Sequence, residues 1–162
     1  MDQTNSLKEQ GNQLFKEKNY KKAKELYTKA LEIDKNASII YCNRAMCNLN
    51  MELFYDALMD CDMAIQHDSS LTKAYYRRGK ALFELYRFKL ALADFNTVIS
   101  REPNNDFAIK EANKIKFLIE NDTKLDLKVY DKPDIYKSKQ ALETFPCYSG
   151  KYMGSLQSAH AK

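Results

Sequence analysis

The chain has 162 residues, enough for one domain and a tail, and its 26 basic and 22 acidic side chains leave a formal charge of only +4. So mild an excess describes a solvated mixed-charge surface and argues against nucleic acid as a partner, which calls for a stronger basic bias. Eleven tyrosines and eight phenylalanines against four glycines and three prolines favour a helical globular fold and exclude general disorder.

From the start, Met1–Asn5 shows neither a basic region nor an apolar run, so no secretory signal is expected. No apolar stretch approaches the roughly 20 residues needed to span a bilayer, so no membrane partner is expected either. Cys42, Cys47, Cys61 and Cys147 form no C-x-x-C pair and read as reduced, mostly small core residues. Asn36-Ala37-Ser38 and Asn121-Asp122-Thr123 match the glycosylation pattern, which without a signal is chance. The expectation is a monomer in the cytoplasm or the nucleus.

Shifting the chain by 34 residues superimposes Gly11, Ala45 and Gly79, then Tyr20, Phe54 and Phe88, then Ala23, Ala57 and Ala91. Ala30, Ala64 and Val98 follow, with Leu31, Ile65 and Ile99 beside them. Three repeats result, 4–37, 38–71 and 72–105, each reading as two short helices. The small residue at Gly11, Ala45 or Gly79 lets the first helix approach its partner closely. The aromatic at Tyr20, Phe54 or Phe88 starts the second helix, and Pro103 closes the third repeat. Two positions depart from the pattern: Asn48 stands where Leu14 and Leu82 are apolar, and Cys61 replaces the aromatic of Tyr27 and Phe95.

A stack of hairpins leaves its last apolar face bare, so a capping helix is expected over 106–129. Phe107, Ala108, Ala112, Ile115, Leu118 and Ile119 recur there at helical steps, and Phe107, Ile115 and Leu118 are expected to cover repeat three. Beyond Asp131-Lys132-Pro133 the periodicity fades, and 131–162 reads as a linker or flexible tail. The first domain is therefore expected to span 1–130.

This spacing and residue choice resemble the tetratricopeptide repeat across residues 4–105. The resemblance implies an all-α fold, a right-handed α-solenoid of three helix-turn-helix repeats with a C-terminal capping helix. It also implies that the first helices of successive repeats line a groove.

Within those helices Lys73 and Arg77 lie at i and i+4, one above the other, and two cations on one face can hold a carboxylate. Together with Lys8, Asn12 and Asn43 they resemble the carboxylate clamp of co-chaperones, all five positions matching. The resemblance implies that Lys8, Asn12, Asn43, Lys73 and Arg77 grip the final aspartate of a Glu-Glu-Val-Asp terminus, carried by the 70- and 90-kDa heat-shock chaperones. A C-terminal aspartate presents two carboxylates, which suit converging cations and neutral amide donors.

Among clamp-bearing co-chaperones, Tyr75-Tyr76-Arg77-Arg78 and the helix after repeat three look like the regulatory repeats of the type-five serine/threonine protein phosphatase. Asn43-Arg44-Ala45-Met46 is equally similar to RNA-polymerase assembly factors. A generic scaffold for internal peptides is the third alternative. The chain carries no catalytic motif and is not expected to be an enzyme. Neither a cofactor nor a metal is expected: Asp60 and Asp62 point about 200° apart on a helix and read as a solvated helix edge. The two histidines, His67 and His160, are too few for a zinc site.

Overall fold

The computed structural model describes residues 2–121. Seven α-helices and no strand occur among the described residues: α1 Gln3–Lys16, α2 Tyr20–Ile33, α3 Ser38–Asn50, α4 Phe54–His67, α5 Thr72–Glu84, α6 Phe88–Arg101 and α7 Asp106–Asn121. They form antiparallel hairpins α1–α2, α3–α4 and α5–α6, each packed on the next, with α7 against α6. The expected cap over 122–129 and the tail 131–162, with Cys147, lie outside the described residues.

What joins the two helices of a hairpin is a Schellman turn. After α1 the Asn19 N–H bonds the Leu14 carbonyl at 2.9 Å and the Lys18 N–H bonds that of Phe15 at 2.9 Å. The same pair recurs as Leu53 to Asn48 with Glu52 to Leu49, and as Arg87 to Leu82 with Tyr86 to Phe83. The turn needs one residue in the left-handed region, and Lys18, Glu52 and Tyr86 take it with φ of 61°, 59° and 60°. None is glycine, and each accepts a strain of about 1 kcal/mol, so the turn is dictated by the packing of the helices it joins.

That packing rests on a close approach. A Cβ built on Gly11 would meet the Tyr27 ring at 2.7 Å, and one on Gly79 would meet the Phe95 ring at 3.0 Å. The glycine makes room for the ring, and both rings are buried. In repeat two the equivalent residues are Ala45 and Cys61, both fully buried. Cys61, one of the two departures from the pattern, is matched by Ala45: a larger residue than glycine on the first helix faces a smaller one than an aromatic on the second. Deep burial pushes the Cys61 thiol well above its ordinary value and keeps it protonated.

Successive hairpins are tied by two half-buried arginines. Arg44 binds Asp60 of its own repeat through both carboxylate oxygens, at 2.6 and 3.0 Å, and reaches Thr28 of the preceding repeat at 3.1 Å. Arg78 binds Asp94 in the same way at 2.7 and 2.8 Å and reaches Asp62 at 2.7 Å. Tyr41 and Tyr75 stack against these guanidinium groups, 5.5 and 5.4 Å away. The reading of Asp60 as a solvated helix edge is therefore wrong, because Arg44 draws its carboxylate into the body, where it is 4% exposed. Asn48 is explained by the same pair, donating to Asp60 Oδ2 at 2.9 Å. Burial raises the Asp60 and Asp94 carboxyls, and the facing arginines pull them back.

The cap also departs from expectation. Ala108, Ala112 and Ile115 form its packed face, whereas Phe107 is 74% exposed. Phe107 precedes the seam residue Ala108 by one position, about 100° around the helix, so it cannot share that seam. It points instead to the side carrying the groove described below.

Two stability outcomes follow. Cys61→Phe alone should cost about 1–3 kcal/mol by overpacking against Ala45, and adding Ala45→Gly should recover most of it in urea unfolding. Asp60→Ala leaves Arg44 and Asn48 without their shared acceptor and should cost about 3–5 kcal/mol in the same measurement.

Candidate functional site

The first helices of successive repeats lie side by side, α1 against α3 and α3 against α5. The 34-residue register therefore puts Glu9, Asn43 and Arg77 at equivalent points along one face. Across that face runs a chain of polar contacts. Arg77 Nη1 donates to the Cys42 carbonyl, lies 3.1 Å from Cys42 Sγ and 3.4 Å from Asn43 Oδ1. Asn43 Nδ2 donates to Asn12 Oδ1 at 3.2 Å. The Tyr27 hydroxyl, coming from α2, donates to the same Asn12 oxygen at 2.7 Å.

Glu9 closes the far end. One of its oxygens accepts from Asn12 Nδ2 at 3.2 Å and the other meets the Lys8 ammonium at 3.2 Å. The Asn12 amide, then Lys8, hold this carboxyl below its ordinary range although it is fully exposed to solvent. The Glu9 carboxylate thus sits between Lys8 and Asn12.

Lys73 joins Asn43 and Arg77 in lining a cavity of about 380 Å³, together with Cys42, Asp68 and Glu102. A second cavity of about 420 Å³ opens on the other side of Lys73 and Arg77, lined by Met46, Tyr76, Val98 and Phe107. The first has a mixed lining and the second a mainly apolar one, and the two cations line both. Burial raises the Cys42 thiol despite the neighbouring Arg77, so Cys42 serves the groove as a protonated wall.

All five residues singled out in the sequence stand in this arrangement. Asn12, Asn43 and Arg77 are joined in one chain, Lys73 shares a cavity with the last two, and Lys8 connects through Glu9. Sequence reasoning missed Glu9, Tyr27 and the apolar wall. Glu9 was accessible, since it occupies the same repeat position as Asn43 and Arg77. Phe107 was concealed by the periodicity that made α7 look like a cap throughout.

Stacked helical hairpins with a donor-lined groove along their first helices define a repeat solenoid. The tetratricopeptide repeat model matches residues 5–37 and again 72–105. The human RNA polymerase II-associated protein 3 is 40% identical over 109 residues, 67% of this chain and 16% of that protein. The first TPR of Spaghetti (RPAP3), solved with the HSP90 peptide SRMEEVD, superimposes with a TM-score of 0.72 at 36% identity, covering 74% of this chain and 94% of that one. The second TPR domain of human RPAP3, solved with the HSP70 peptide SGPTIEEVD, gives 0.68 at 40% identity, covering 70% and 95%. This chain belongs to the tetratricopeptide repeat family. It spans 16% and 25% of the length of two of the curated proteins it matches.

Because Glu9 occupies the Lys8–Asn12 end, removing its charge should favour any incoming carboxylate. Glu9→Gln should tighten the binding of a short peptide with a free C-terminus about twofold, the scale of an exposed ion pair, in a calorimetric titration.

Proposed function

We propose that the groove binds the free C-terminal end of a Glu-Glu-Val-Asp peptide from the 90-kDa or 70-kDa heat-shock chaperones, as a co-chaperone-type interaction module. The observation that carries this reading is the polar chain Arg77–Asn43–Asn12, flanked by Lys73 and Lys8. A terminal aspartate presents two carboxylates, and these donors converge from three helices without placing a buried cation behind each one. Arg77 commits Nη1 to the protein and keeps its other donors for a ligand. Solved relatives with this fold hold peptides ending in the same four residues, which supports the reading.

Beyond the terminal residue, the apolar cavity of Met46, Tyr76, Val98 and Phe107 suits the aliphatic side chain preceding the aspartate. Its exposed Phe107 is a large apolar surface left uncovered in the free protein. Asp68 in the first cavity and Glu102, which lines both, oppose a further acidic residue there, so the ligand's register is set by repulsion as well as attraction. Each charge-assisted hydrogen bond contributes roughly 1.5–3 kcal/mol, and ordering the peptide offsets much of the sum. Affinity near micromolar, about −8 kcal/mol, is the expected result. We assign the module no catalytic step and place it in the cytoplasm or nucleus, where such chaperones act.

Titration of the free-acid peptide beside its C-terminal amide tests the reading. The amide should bind at least about tenfold more weakly, and Arg77→Ala should lose roughly 2–4 kcal/mol by leaving a partly desolvated carboxylate unpaired. Equal affinities for acid and amide would overturn it.

A further inference from the structure

We propose that Tyr27 is a positioning residue for the groove: its hydroxyl locks the Asn12 amide in the direction that Asn43 gives it, and so keeps Asn12 a donor toward a ligand. As a statement about binding, it rests on the carboxylate reading above.

Hydrogen-bond polarity runs along the chain from Arg77. An arginine side chain has donors and no acceptor, so Asn43 must turn its carbonyl toward Arg77, 3.4 Å away. Its NH2 group then faces Asn12 and donates to Oδ1 at 3.2 Å. The Tyr27 hydroxyl donates to the same atom at 2.7 Å, the shorter of the two bonds. With two donors on Oδ1, the Asn12 Nδ2 is turned away, to the side where it holds the Glu9 carboxylate at 3.2 Å. Burial raises the Tyr27 phenol, so the hydroxyl keeps its proton. Without that hydroxyl, Asn12 Oδ1 keeps one longer bond, from Asn43, and an amide turned over would present its oxygen to a carboxylate.

The repeats supply an internal comparison. The residues equivalent to Tyr27 are Cys61 and Phe95, which carry no hydroxyl, and those equivalent to Asn12 are Met46 and Lys80, which have no amide to orient. Hydroxyl and amide occur together, in repeat one. The ring has a separate task, packing on Gly11, and Phe95 performs it on Gly79 without a hydroxyl. Tyr27→Phe therefore removes the orienting bond and keeps the wedge.

The test uses the full chain. Tyr27→Phe should weaken free-acid Glu-Glu-Val-Asp peptide about five- to tenfold, the scale of one hydrogen bond, and narrow the preference for acid over amide. Ile115→Val, a core change of similar destabilisation far from the groove, should leave both unchanged. On an Asn12→Ala background, Tyr27→Phe should add no further loss. Without any ligand, the Asn12 side-chain amide protons should show one orientation by NMR in the parent protein and two in Tyr27→Phe. Parent-like affinity of Tyr27→Phe, or an undiminished loss on the Asn12→Ala background, would overturn the proposal. Should the parent itself bind acid and amide alike, the carboxylate reading falls, and the amide orientation decides alone: one orientation in both proteins overturns the role of Tyr27, and loss of the single orientation upholds it.

Discussion

The distance between the helices of a hairpin is the constraint on which the other features depend. It is set where the Tyr27 and Phe95 rings lie on Gly11 and Gly79, where an added methyl group would clash at Gly11 and be tightly crowded at Gly79. Given that spacing, the turn has to close in few residues, which forces Lys18, Glu52 and Tyr86 into the left-handed region. The local strain is carried by a tertiary contact, as expected when packing outweighs backbone preference. The same contact brings the Tyr27 hydroxyl within reach of Asn12, so the element that fixes the scaffold also touches the groove.

Adjacent residues on the first helices serve different surfaces. Arg77 faces the groove, and Arg78 turns into the body to join Asp94 and Asp62. Neighbours on a helix point about 100° apart, so one short run can serve both surfaces. Asn43 and Arg44 repeat the arrangement one hairpin earlier. Arg44 also reaches Thr28 and Arg78 reaches Asp62, each in the preceding repeat, so these two side chains tie neighbouring hairpins together. The stacking of the hairpins thus depends on contacts made away from the groove.

The 34-residue register, the three hairpins and the closing role of Pro103 were legible in the sequence because hydrophobic and small-residue spacing records which faces pack. The alignment of Lys8, Asn12, Asn43, Lys73 and Arg77 with the first helices followed from the same register. What tertiary structure decided was every property that depends on two segments meeting. Asp60 looked like a solvated edge until Arg44 came to it from another helix, and Asn48 looked like a flaw until Asp60 accepted its proton. Phe107 fitted the periodicity of a cap, but a step of one residue from Ala108 turns it out of the seam and onto the groove. Spacing along a chain determines which residues share a face. The direction of a hydrogen bond, and the partner that neutralises a buried charge, exist only once separate helices are brought together.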